Sequence, residues 1–372
     1  MHCRDARHDE YRDLSGYPPP PAALTPDAAI HQALQKHKDG ETTVAISLLE
    51  DYLKTASAEE SVAPMLRLAY LYHAAGDRDE AGRRFKRLAN LPEGVNDAVR
   101  GEAALRAAYS STGRERAVWA ERIVAGQFEV DEQTKIEAYR MAAGGAQKRG
   151  DLRRAVEAYQ ESPEMQLPGG KRSYVFKELA GLYFELGKGE GDVPVAEEAR
   201  HSMYSTSREI SQALMNMDDA PDDHRMVAEL MHAETFLFES KFQLSYDNAA
   251  AFLERWGSDP SRYEATNMRV YINTAKTLQM QNAWIVGKNA EAEALATEMV
   301  NNPPKKDEEF TNSDSMLIGL EILKLCAHDR GDQEAVAHYG ARAWQHRSDY
   351  LGTERNLQRR RTEFLNQSGN PQ

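Results

Sequence analysis

Residues 72 to 92 read YHAAGDRDEAGRRFKRLANLP, and the order of residue types in this stretch decides the fold. The small and aromatic residues up to Ala75 suit the end of one helix. Gly76 can take the left-handed conformation that closes a last helical turn, and Asp77 offers a carboxylate to cap a following helix. Ala81 and Phe85 then fall on one helical face, and Pro92 ends the second helix. The stretch predicts a helix, a tight turn and a second helix lying antiparallel to the first.

The turn recurs. Gly76 has counterparts at Gly40, Gly113, Gly150 and Gly187, at intervals of 36, 37, 37 and 37 residues, and a fixed period of that size marks stacked hairpin repeats. Five residues after the first four glycines stand Ala45, Ala81, Val118 and Ala155, which let paired helices approach. Leu49, Phe85 and Tyr159 follow four residues later to fill the seam, with Arg122 as the exception. Tyr72, Tyr109 and Tyr183 precede their glycines by four residues, and Ala69 and Ala180 lie three before Tyr72 and Tyr183. The phase returns at Gly287, with Ala292, Met299 and Pro303, and at Gly331, with Val336 and Ala343. A unit without the glycine fits around Leu244, with Ala249, Leu253, Trp256 and Pro260. Asp77, Asp151 and Asp332 each follow a turn glycine and are expected caps.

Leu68, Ala69, Tyr72, Gly76, Ala81, Phe85 and Pro92 together resemble the tetratricopeptide repeat, lacking mainly its early tryptophan, and DGETTVAISLLEDYLK and YDNAAAFLERWGSDP resemble its second helices. The resemblance runs from Thr25 to about Arg347. It implies an all-α fold, an α-solenoid of about seven to eight antiparallel hairpins closed by a capping helix. Residues 1–24 are expected to be a disordered tail, proline-rich at Pro18 to Pro21; 25–190 carry the regular repeats; 191–347 carry longer, degenerate ones; 348–372 form the capping helix, DYLGTERNLQRRRTEFL, and a short tail. The fifth unit departs from the pattern, with the insertion KGEGDVP and a long helical stretch from Ala196 to about Met217.

Composition restricts the role. A net charge of −13 over 372 residues disfavours non-specific binding to nucleic acid or anionic membrane. Cys3 and Cys326 stand near opposite ends of the chain and predict no structural disulfide. There is no apolar run of the ~18 residues a membrane helix needs, and MHCRDARHDEYRDLSG lacks a signal peptide's apolar core. As written, the chain is expected in the cytoplasm. A start upstream of Cys3 would instead make YPPPPAAL a tether behind a lipidated cysteine, in a periplasmic or membrane-tethered protein.

Motifs for chemistry are weak. PGGKRS, Pro168 to Ser173, lacks the upstream glycine of a phosphate loop and has Arg172 where a hydroxyl belongs, so it is read as a turn. GKGEGD, Gly187 to Asp192, is read as an inter-helix loop. His224 and His232, like His338 and His346, stand eight apart rather than at metal-ligand spacing. His2, Cys3 and His8 sit in the expected tail. No nucleophile elbow or rigid carboxylate pair is evident. Neither a catalytic residue, a cofactor nor a metal is expected, and Arg347, Arg355 and Arg359 to Arg361 are read as the solvated face of the capping helix.

The resemblance implies a non-enzymatic scaffold that holds a protein or peptide in the groove lined by the first helix of each hairpin. Carried over position by position, that groove comprises Tyr70, His73, Arg100, Arg140, Gln147, Tyr174, Lys177, Glu234, Phe238, Gln281 and Trp284. The aromatics among them have an alternative place, packed on a neighbouring hairpin. Arg100, Arg140 and Lys177 are the stronger candidates, because an unpaired buried charge is costly. The ordered Lys, Asn, Asn, Lys, Arg set that clamps a C-terminal carboxylate in some members is missing. Two other roles fit the same resemblance: a lipid-anchored envelope assembly factor, and an accessory or regulatory subunit of an enzyme complex.

Overall fold

A computed structural model describes residues 24–92, 96–191, 195–258, 268–304, 315–346 and 350–368. The expected tail up to residue 23, with His2, Cys3, His8 and Pro18 to Pro21, lies outside them, as do Pro260 and Arg347. The described residues are helical, without a strand. Two compact units divide between Val130 and Asp131.

The N-terminal unit contains α1 (Pro26–Lys38), α2 (Thr42–Leu53), α3 (Val62–Ala74), α4 (Arg78–Ala89), α5 (Asp97–Ser110) and α6 (Gly113–Val124). The C-terminal unit contains α7 (Glu132–Lys148), α8 (Leu152–Glu161), α9 (Ser173–Lys188), α10 (Glu197–Met215), α11 (Asp222–Phe238), α12 (Phe242–Trp256), α13 (Met268–Ile285), α14 (Asn289–Asn301), α15 (Ser315–Asp329), α16 (Gln333–His346) and α17 (Tyr350–Gln367). Consecutive helices pair as hairpins, and first helices also touch one another: α1 with α3 and α3 with α5 in one unit, α9 with α11, α11 with α13 and α13 with α15 in the other. Each unit is therefore built in the α-solenoid manner.

The expected small residues make these approaches possible: Ala45, Ala69, Ala81, Ala155, Ala180, Ala249 and Ala292 are all fully buried. Gly40, Gly76, Gly150, Gly287 and Gly331 take left-handed backbone angles at the turns, and Asp77, Asp151 and Asp332 accept the amides of Glu80, Arg154 and Ala335, each at 3.0 Å.

The ladder slips at three rungs. Gly113 takes a left-handed angle, φ 54°, but as the first residue of α6 rather than just past the end of α5, so Val118 points outward and Ala117, Ala120 and Ile123 form the buried face. Arg122, the misfit of the pattern, lies over the rings of Trp119 and Phe128 at 4.4 and 5.1 Å. Gly187 does not end a helix. It is buried inside α9, and Gly189 takes the left-handed angle instead. An added Cβ at Gly187 would stand 2.6 Å from the Tyr204 ring on α10, so glycine there serves close packing. The unit around Leu244 turns at Ser240, which has φ 58° without being glycine, and Ser245 is fully buried beside Ala249.

PGGKRS is a turn, with Gly170 donating its amide to Asp219 Oδ1 at 2.6 Å. A carboxylate thus stands where a phosphate loop would hold an anion. The helix α17 packs on α13 and α15 through Leu357. Its basic run is not uniformly solvated: Arg359 is exposed and pairs with Glu363, whereas Arg361 covers the ring of Trp284 at 4.4 Å.

Candidate functional site

First helices of the C-terminal unit leave a cavity of about 500 Å³ between α7, α9, α11 and α13. On α9 it is lined by Lys177, Gly181, Phe184, Glu185 and Lys188, and on α11 by Val227, Met231, Glu234 and Phe238. The α11 series steps by three or four residues along one helical face, as does the α9 series apart from the adjacent Phe184 and Glu185, which carries the lining across about three turns of each helix. Gln147 closes it from α7, and Tyr271 and Thr274 from α13. Phe184 and Phe238 meet edge to face at 5.3 Å, and Phe238 keeps 40% of its surface exposed.

Its charges are unevenly satisfied. Lys188 holds Glu185 at 2.8 Å and Glu190 at 2.9 Å, while Lys177 stands 3.3 Å from Glu178. Glu234 makes no hydrogen bond or ion pair with any described residue, although its side chain is deep in the wall with part of its surface open to the cavity. Burial pushes the Glu234 carboxyl up to about 7, against a smaller opposing pull from Lys188. Burial does the same to Glu185, also to about 7, helped by its hydrogen bond to Glu190.

These shifts have a sign. A carboxyl that titrates higher folded than unfolded keeps its proton in the folded chain, so it favours folding at low pH and loses that contribution as pH rises. For Glu234 and Glu185 the window runs from 4.5 to about 7. Glu234→Gln is expected to match the parent near pH 5 and to exceed its stability by about 2 kcal/mol near pH 8 in urea unfolding. Equal stability at both pH values would refute the burial of this carboxylate.

Of the residues the repeat positions nominate, Gln147, Lys177, Glu234 and Phe238 line this one cavity. Tyr174 lies beside it, with the Arg140 guanidinium 4.2 Å and Lys177 Nζ 5.0 Å from its ring. Arg140 is engaged elsewhere: its Nε and Nη2 donate to the two oxygens of the fully buried Glu164 at 2.8 and 2.7 Å. Trp284 is withdrawn beneath α17, and Gln281, half-buried, is outside the lining. In the N-terminal unit Arg100 is 8% exposed, paired with Asp97 at 2.6 Å and placed over Phe128. The cost that nominated Arg100 and Arg140 as free cations is met by intramolecular partners.

Tyr70 and His73 line a separate cavity of about 380 Å³ in the N-terminal unit, with Arg78, Phe85, Arg106 and Tyr109. There Tyr70 donates to Glu102 at 2.5 Å and accepts from Arg106 Nε at 2.8 Å.

Ser173 Oγ and His224 Nδ1 are 2.8 Å apart, joining α9 to α11. Ser173 is buried and Asp223 stands 3.9 Å from the other ring nitrogen, so the pair ties helices together and presents no open nucleophile. Burial and Lys177 hold the His224 imidazole below its usual range. Among the described residues, no group of three or more His, Cys, Asp or Glu side chains is placed to hold a metal, and no helix is long and apolar enough to cross a membrane. Cys326 is buried in α15, its thiol pushed up to about 11 by that burial.

The lining residues that the repeat positions leave out are chiefly Glu178, Phe184, Glu185, Lys188, Val227, Met231 and Tyr271. Extending the α9 and α11 stripes by the helical period from Lys177 and Glu234 reaches most of them. Lys188 belongs to a stretch read as a loop, and in the structure it is the last residue of α9.

No family model and no curated protein matches the sequence. Solved structures do. The C-terminal part of a TPR repeat-containing protein from Cytophaga hutchinsonii is 13% identical, with 75% of this chain and 97% of that one covered at a TM-score of 0.49. The TPR domain of P58(IPK) is 15% identical, with 92% and 89% covered at 0.31. A Rap protein complexed with competence and sporulation factor is 13% identical, with 83% and 87% covered at 0.38. The solved structures similar to the chain include tetratricopeptide-repeat proteins, and its own fold is one of successive helical hairpins with buried small-residue seams.

Proposed function

We propose that the chain is a non-enzymatic interaction scaffold whose C-terminal unit holds a segment of a protein partner in the cavity between α7, α9, α11 and α13. The observation that carries this reading is the lining: two first helices each offer about three turns of mixed aromatic, apolar and charged side chains to one hollow. A hollow of about 500 Å³ suits a few side chains of an extended segment, and an exposed aromatic at its rim is the usual anchor of such contacts.

Gly181 allows a clean test. An added Cβ there meets only Met231 Cε, at 3.7 Å, so a leucine would point into the cavity without moving the backbone. Affinity capture from the native source with the parent chain and with Gly181→Leu should give a set of proteins that the variant loses. Val118→Glu, on the exposed face of α6, should keep them. Retention of every protein by Gly181→Leu would overturn the reading.

A further inference from the structure

We propose that this cavity selects a basic side chain, lysine or arginine, from the partner segment, with the Glu234 carboxylate as its counter-ion and the Phe184 and Phe238 rings as the wall for its aliphatic stem. The inference rests on the cavity being the partner site and adds the chemistry that the site recognises.

Charge bookkeeping around the hollow leads to it. Lys188 is already held between Glu185 and Glu190, and Lys177 by Glu178. Glu234 is the carboxylate left over, without a hydrogen bond or ion pair among the described residues. The charged and titratable groups that line the hollow with it are Lys177, Glu178, Glu185 and Lys188 from α9 and Tyr271 from α13, with Lys188 and Glu185 acting on it most directly, while α7 contributes the neutral Gln147. An incoming ammonium or guanidinium supplies the partner Glu234 lacks. An incoming carboxylate would meet Glu234 and Glu185 in a poorly solvated space, and an apolar side chain would leave Glu234 as unpaired as before. The edge-to-face rings at 5.3 Å suit the methylene stem of either basic residue, while Lys188 Nζ already lies 5.3 and 5.9 Å from the Phe184 and Phe238 rings, which leaves Glu234 to take the incoming cationic head. The competing occupant is Lys188 itself, which would have to leave both of its carboxylates to reach Glu234.

Degenerate peptide pools of one length, fixed at the central position as arginine, lysine, glutamate or norleucine, test this by fluorescence anisotropy against the full chain. Near pH 8 the arginine and lysine pools are expected to bind about tenfold more tightly than the other two. Glu234→Gln should erase that preference, and Gly181→Leu should abolish binding of every pool. The preference in the parent should shrink several-fold between about pH 8 and about pH 6, as Glu234 takes up its proton. Urea unfolding of Glu234→Gln at the same pH separates lost recognition from lost folding. The control matters because a chain of net charge −13 attracts cations in general. A basic preference that survives Glu234→Gln, or equal binding of all pools, overturns this inference while leaving the cavity as the partner site if Gly181→Leu still abolishes binding. Absence of binding to the parent, or binding unaffected by Gly181→Leu, overturns both.

Discussion

Arg140→Met is expected to cost the C-terminal unit about 3 kcal/mol of stability. Glu164 is fully buried, and among the described residues its charge partner is the Arg140 fork, through bonds of 2.8 and 2.7 Å. Removing the guanidinium strands an anion where water cannot replace it. A fully buried broken pair costs roughly 3–5 kcal/mol, and the partial exposure of Arg140 places this one at the low end. Arg140→Lys should recover only part of the loss, because a single ammonium cannot match two carboxylate oxygens. The double variant Arg140→Met, Glu164→Leu should recover most of it, since neither charge then remains. Urea unfolding followed by circular dichroism measures all three. A single-variant loss within about 0.5 kcal/mol, the scale of a surface pair, would show that Glu164 has water or another partner.

Gly187→Ala is expected to destabilise by about 2 to 3 kcal/mol, an unusual penalty for adding one methyl group to a helix. Alanine is otherwise the better helix former, by up to about 1 kcal/mol. Here the new Cβ would stand 2.6 Å from the ring of Tyr204, itself buried between α9, α10 and Phe238. The matched control lies two turns earlier on the same helix. Gly181→Ala meets only Met231 Cε at 3.7 Å and should be neutral or stabilising by about 0.5–1 kcal/mol. Equal and small effects at both positions in thermal or urea unfolding would mean that α9 and α10 can separate at no cost.

The same glycine shows where the sequence was legible and where it was not. Helix type, hairpin pairing and the Asp caps at Asp77, Asp151 and Asp332 depend on residues within a few positions of each other, and local pattern reveals them. Gly187 fits the 37-residue ladder by spacing, yet its reason for being glycine is Tyr204, on the next helix. Spacing alone cannot distinguish a turn glycine from a packing glycine. Ser240 poses the converse case: a left-handed residue that is not glycine interrupts the ladder although the turn is present.

For the proposed site, four of the residues nominated by repeat position, Gln147, Lys177, Glu234 and Phe238, line one cavity. Repeat position did not reveal which cations are spoken for. Arg140 finds Glu164 24 positions along the chain, beyond α8, and Trp284 is covered by Arg361 from the capping helix, pairings fixed by tertiary structure. Lys188 was hidden for a simpler reason. The α9 helix runs through the expected turn at Gly187 and ends at Lys188, which keeps that residue on the stripe.

The central claim is that a partner is held on the first-helix face of the C-terminal unit. A photo-crosslinking amino acid at Phe238, 40% exposed at the cavity rim, and at Leu244, 47% exposed on α12, tests it in the native cell. Adducts of defined mass should form from Phe238, fall with Gly181→Leu in the same chain, and be absent from Leu244. Adducts that form equally from Leu244, or that persist at Phe238 when Gly181→Leu fills the cavity, would contradict it.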